Sequence, residues 1–144
     1  MAVYQIDEAT KLYTEEFMRE GLDELLKKGN DLAFIYFKVD FLNKEHNNLI
    51  DMALKDIARI IRNQLRNLDS AVKLGDKIVL ILPSTTRLQA EIIMERIVKK
   101  IESPGFMDGY TVLSMPKKLI TDVFIYPQEI KTKEEIVEKI GHRG

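Results

Sequence analysis

The side chains best equipped for chemistry in this chain are two carboxylates, Asp40 at the end of an apolar run and Asp76 beside a glycine. Brought together, two carboxylates can hold a divalent cation such as magnesium, which takes hard oxygen ligands in tight octahedral geometry. Each has a lysine close by in sequence, Lys38 just before Asp40 and Lys77 directly after Asp76. An ammonium group cannot ligate a cation and repels one. Arg66 and Asp69 form a separate pair at i, i+3. A planar guanidinium suits bidentate recognition of carboxylate or phosphate, and an arginine near a helix C-terminus is also favourable on dipole grounds alone. Cysteine is absent and the only histidines are His46 and His142. That excludes a disulfide framework, a thiol nucleophile, a Cys-ligated zinc and a multi-His metal site.

These groups sit in a chain of 144 residues, 45% hydrophobic and 31% charged. The size and balance suit one packed core, and we read one domain over 1–144 with an N-terminal lead over 1–14. The net charge of −1 argues against a nucleic-acid partner, which demands a basic excess. No apolar run reaches the roughly 18 residues of a membrane span, and no signal peptide opens the chain. The expectation is a cytoplasmic domain with no membrane partner.

Hydrophobic periodicity supplies the elements that must position the candidate residues. Thr14, followed by Glu15 and Glu16, reads as the cap of a helix carrying Phe17, Met18, Leu22, Leu25 and Leu26 and stopped at Gly29-Asn30. Residues 32–40 read as a buried strand ending in the charged tip with Lys38 and Asp40. A stripe of Leu49, Ala53, Leu54, Ile57, Ile61 and Leu65 predicts the next helix, with Asp51 at its start. Residues 71–74 and 78–82 read as a hairpin around Gly75-Asp76-Lys77, ended by Pro83. Ser84, Thr85 or Thr86 caps a helix carrying Leu88, Ile92, Ile93, Ile97 and Ile101, a stripe assigned to the core. Tyr110–Leu113 and Leu119–Tyr126 read as strands joined by a turn containing Pro116-Lys117-Lys118, and Thr132 caps a last helix from Glu134 to Ile140. The order α-β-α-β-β-α-β-β-α predicts a ferredoxin-like α+β fold, with a mixed, mostly antiparallel sheet of about five strands under helices.

Several stretches, in order, resemble the GGDEF domain, the catalytic domain of diguanylate cyclases. Asp7-x-x-Thr10-x-Leu12 followed by Phe17 resembles that family's D-x-L-T-G-L-x-N-R-x-x-F entry. Lys38-Val39-Asp40 falls at its D-x-D, and Ile50-Asp51-x-x-Leu54 at its G-D-x-x-L. Gly75-Asp76-Lys77-Ile78 falls at the signature hairpin, and Thr121-Asp122-Val123 with Tyr126-Pro127 at its late strand. The resemblance implies the nucleotidyl-cyclase palm and, for an intact member, condensation of two GTP molecules into cyclic di-GMP with magnesium.

The departures fall on the positions to which the resemblance assigns catalysis. The first metal carboxylate is Lys38 here, unless the register shifts by two and Asp40 takes its place beside Asp76 as a carboxylate pair. The hairpin keeps only Gly75 of two glycines, with Leu74 in place of the first or the motif one residue short, and its usual Glu is Lys77. The guanine-reading Asn falls at His46, while Asp51 keeps a guanine-contacting Asp. Groups that act as a unit lose turnover together. Lys38, Asp40, Asp51, Gly75, Asp76 and Lys77 are therefore read as remnant positions, with no catalytic residue, no metal and no cofactor. Arg66-x-x-Asp69 lies at the offset of the family's R-x-x-D inhibitory motif if Gly75 is the first glycine, which implies a cyclic di-GMP site. The expected role is a catalytically inactive regulatory domain that acts through a protein partner or a homodimer. The alternatives are a cyclic di-GMP receptor and a weakly active diguanylate cyclase.

Overall fold

A computed structural model describes residues 4–42 and 47–142 of the chain. The ten-residue strand β1 (Leu32–Phe41) runs through the middle. Its alternation feeds two cores. Ala33, Ile35, Phe37 and Val39 face one apolar layer, and Leu32, Phe34 and Tyr36 face the other. With both faces covered, the strand reads as a continuous apolar run.

Four strands form the sheet in the order β2-β3-β1-β4, with β2 (Ser70–Leu74), β3 (Lys77–Pro83) and β4 (Lys117–Tyr126). Every neighbouring pair is antiparallel. Helices α2 (Asn47–Gln64) and α3 (Arg87–Glu102) cover one face through Ala53, Ile57, Ile61, Ile97 and Ile101. The π-helical turn Phe17–Gly21, α1 (Leu22–Lys27) and α5 (Lys133–His142) lie on the other, where Phe17, Met18, Leu22, Ile136 and Ile140 are buried.

The caps follow local chemistry. Thr86 forms a capping box with Gln89, accepting from Gln89 N at 3.2 Å while Gln89 Oε1 accepts from Thr86 N at 3.0 Å. Thr132 Oγ1 accepts from Glu135 N at 3.1 Å. Thr14 departs from expectation: its hydroxyl turns to Gln5 Oε1 at 3.5 Å, and the first helical stretch has no side-chain cap. The N-terminal lead instead joins the sheet, because Tyr13 N donates to Ala71 O at 3.0 Å and Lys73 N to Tyr13 O at 2.8 Å. It occupies the middle of the outer edge of β2.

Three readings are corrected. The sheet has four strands rather than five, because Tyr110–Leu113 is a short helix, α4. Gly109 drives this. It has φ +83°, a Cβ there would lie 2.1 Å from Asp56 Oδ2, and its carbonyl accepts from Val112 and Leu113. Close packing on α2 thus winds a run too short to declare its own period. Lys117 and Lys118 belong to β4 rather than to a turn, with Pro116 O accepting from Leu42 N at 3.1 Å to extend the ladder. Leu49 on α2 and Leu88 and Ile92 on α3 are exposed rather than core.

Candidate functional site

The β2–β3 hairpin turns on two residues, Gly75 and Asp76, closed by the Leu74–Lys77 pair. Gly75 has φ +67°. Positive φ at the first central position of a two-residue hairpin is met at least cost by glycine. The turn is anchored to the central strand, since Asp76 O accepts from Val39 N at 3.2 Å.

Register brings the remnant strand and turn positions, though not Asp51, to one end of the sheet. Lys38 stands opposite Lys77 in the β1–β3 ladder, and Asp40 stands opposite Lys118 in the β1–β4 ladder. By alternation Lys38, Asp40 and Lys77 share the face covered by α1 and α5. Lys77 Nζ donates to Ile140 O and Gly141 O, each at 3.4 Å. Asp76 is exposed at the turn, and Asp51 is exposed on α2, in the helix layer against the opposite face. His46 lies outside the described residues. At this end of the sheet two ammonium-bearing strand positions, Lys38 and Lys77, face each other, and each repels a divalent cation such as magnesium.

Beside the hairpin, the π-helical turn and α5 enclose an open cleft of about 480 Å³. Arg19, Lys73, Lys77 and Lys133 rim an apolar floor that includes Met18 and Leu74. Part of this charge is already matched, with Lys133 Nζ 2.9 Å from Asp23 Oδ1 and Arg19 paired to Glu15 at 3.5 Å.

Arg66 and Asp69 are brought together, and with each other. Asp69 Oδ2 accepts from Arg66 N at 2.8 Å, and Asp69 Oδ1 from Arg66 Nη2 at 2.9 Å. The Asp69 side chain is 1% exposed and that of Arg66 49%. Arg66 Nη2 also donates to Pro83 O and Thr85 Oγ1, both at 2.9 Å. The Asp69 hydrogen bond raises the guanidinium pKa further above its ordinary value. The pair thereby straps the α2–β2 turn to the β3–α3 turn.

A second charged pair escaped the sequence reading. Arg87 Nε donates to Glu129 Oε2 at 2.7 Å, and Arg87 Nη2 bonds both Glu129 Oε1 and, at 2.8 Å, Val123 O. The Arg87 hydrogen bond is the main cause holding the Glu129 carboxyl below the usual carboxylate range. The partners are 42 positions apart, so no local spacing betrays them.

The chain belongs to the GGDEF family: residues 4–108 match "Diguanylate cyclase, GGDEF domain". Among proteins of known name, it is 25% identical to the cyclic di-GMP phosphodiesterase NbdA of Pseudomonas aeruginosa over 134 residues, 90% of this chain and 17% of that protein. It is 25% identical to diguanylate cyclase A of Treponema denticola over 118 residues, 78% of this chain and 31% of that one. The chain therefore spans less than a third of the length of either relative. Among solved structures, the GGDEF domain of DgcB from Caulobacter crescentus, in complex with c-di-GMP, superposes with a TM-score of 0.78 at 14% identity, covering 99% of this chain and 88% of that one. That likeness is one of fold.

Proposed function

We propose that this GGDEF domain makes no cyclic di-GMP and acts as a regulatory module through protein–protein contacts. One observation carries the reading: Lys38 and Lys77 face each other across β1 and β3, at positions the resemblance gives to acidic groups. Two ammonium groups there oppose a divalent cation by simple Coulomb repulsion. Lys77 also has other work, on the last carbonyls of α5. The test is incubation of the chain with GTP and magnesium or manganese, followed by chromatography of the nucleotides. The expected result is no cyclic di-GMP above the protein-free background. Sustained product formation overturns the reading and favours the alternative of a weak cyclase using Asp40 and Asp76.

A second reading, a cyclic di-GMP receptor, is favoured by the half-exposed guanidinium of Arg66. A ligand there has to share or displace the Asp69 pairing.

A further inference from the structure

The two edges of the sheet are finished differently. On β2, Tyr13 bridges the edge, taking Ala71 O and Lys73 N. On β4, the outward groups of the second half are capped one by one. Val123 N donates to Asp122 Oδ1 at 2.8 Å, and Val123 O accepts from Arg87. Ile125 N donates to Glu129 Oε1 at 3.1 Å, and Ile125 O accepts from Glu129 N and Ile130 N. Outward-pointing groups recur every second residue along a strand, so Lys117, Leu119 and Thr121 present theirs on the same edge. Among the described residues no cap is formed on these three. The strand therefore offers a short open edge that ends where the caps begin.

We propose that this edge pairs with the same edge of a second copy, antiparallel about a two-fold axis at Ile120. Charge and register select the arrangement. A two-fold at Ile120 sets Leu119 opposite Thr121 of the second copy, and Thr121 opposite its Leu119. Those are the positions whose N–H and C=O groups point outward, so both become hydrogen-bonded pairs. The same register sets Lys118 opposite Asp122 on one face, an opposite-charge pair at the closely spaced, non-hydrogen-bonded position. Lys118 is exposed and Ile120 half-buried. A register centred on Lys118 would set like charges against each other, and one centred on Leu119 would set Lys118 opposite Ile120 and forgo the opposite-charge pair. One centred on Thr121 would spend Leu119 on the capped Val123. The interface is isologous and closes on itself, so it gives a dimer rather than a fibre. It deepens the protein-contact reading by naming the partner and the surface, and it is independent of whether the hairpin turns over GTP.

Sedimentation velocity across roughly 10–500 μM protein reads the association, with weak self-association expected from so short an edge. Lys118→Glu sets two acids opposite each other and weakens the dimer by about tenfold or more, while circular dichroism reports its fold unchanged. Because the chain has no cysteine, Ile120→Cys introduces a single thiol on the two-fold axis. The Cα separation of a non-hydrogen-bonded pair, about 4.5 Å, lies within disulfide range. Under mild oxidation Ile120→Cys is expected to cross-link much faster than Lys99→Cys on the exposed side of α3. A chain that stays monomeric throughout overturns the proposal. So does a dimer indifferent to Lys118→Glu, or Ile120→Cys cross-linking no faster than the control. Any of these leaves the catalytic reading untouched, since that is read separately from GTP.

Discussion

Lys77 Nζ lies 3.4 Å from the carbonyl oxygen of Gly141, so the side chain that follows the hairpin turn caps the C-terminus of α5. A cation there satisfies carbonyls left without intrahelical partners and complements the negative end of the helix dipole. Lys77→Glu restores the acidic residue type of the family hairpin and reverses this interaction. We expect it to lower stability by about 1 kcal/mol, read as a lower urea midpoint with an unchanged slope. Lys77→Arg keeps the charge and holds the midpoint. An increase in stability on Lys77→Glu would show that the lysine does not serve the helix.

The strap between Arg66 and Asp69 carries a prediction that separates structure from ligand binding. Arg66→Ala leaves the Asp69 carboxylate nearly buried without its cation and also releases Pro83 O and Thr85 Oγ1. Hydrogen bonds to charged groups contribute about 1.5–3 kcal/mol, and solvent screening at the half-exposed guanidinium brings the expected loss to about 1–2 kcal/mol. Calorimetry with about 100 μM cyclic di-GMP tests the receptor reading. Heat that saturates in the parent chain and vanishes in Arg66→Ala supports it, whereas a silent titration with a stability loss assigns the pair to structure alone.

Much of this was legible because the signals are local. The β1 run, the α2 stripe, the Gly75 turn and the Thr132 cap each declare themselves within a few residues, and the cap of α3 is narrowed to Ser84, Thr85 or Thr86, of which the structure uses Thr86. The Arg66–Asp69 pairing sits at i, i+3 and was open to a local reading too. What escaped depends on distant partners. Nothing near Lys77 announces Gly141, and nothing near Arg87 announces Glu129. Tyr110–Leu113 carries branched and aromatic residues that favour a strand by propensity, yet it is helical where Gly109 packs closely on Asp56 of α2. Leu88 and Ile92 keep helical spacing with the core residues of α3 yet lie on its open flank.

Glu129 gives the fold an acid-sensitive element. Its carboxyl titrates below the ordinary range in the folded chain, chiefly through the Arg87 hydrogen bond, whereas in the unfolded chain it titrates near the usual value of about 4.3. Its contribution is therefore full above the unfolded value and is lost as pH falls through the folded one. Asp7 acts in the same direction, its pKa lowered first by the Thr10 hydroxyl. Unfolding midpoints measured from pH 7 down to pH 2 should drop below about pH 4. Glu129→Gln should lower the plateau and flatten the acid limb. An unaltered acid limb would show that Glu129 contributes nothing to it.

Gly75 isolates the backbone demand of the hairpin from any packing demand. Its φ is +67°, and a Cβ built there meets no atom within 4 Å. Gly75→Ala is therefore penalised by conformation alone, about 1–2 kcal/mol for an ordinary L-residue held in the left-handed region. Asparagine visits that region more readily, so Gly75→Asn should cost less than Gly75→Ala despite its larger side chain. Urea midpoints of the three chains should rank glycine, asparagine, alanine. If alanine and asparagine fall together, a steric contact rather than φ governs the turn.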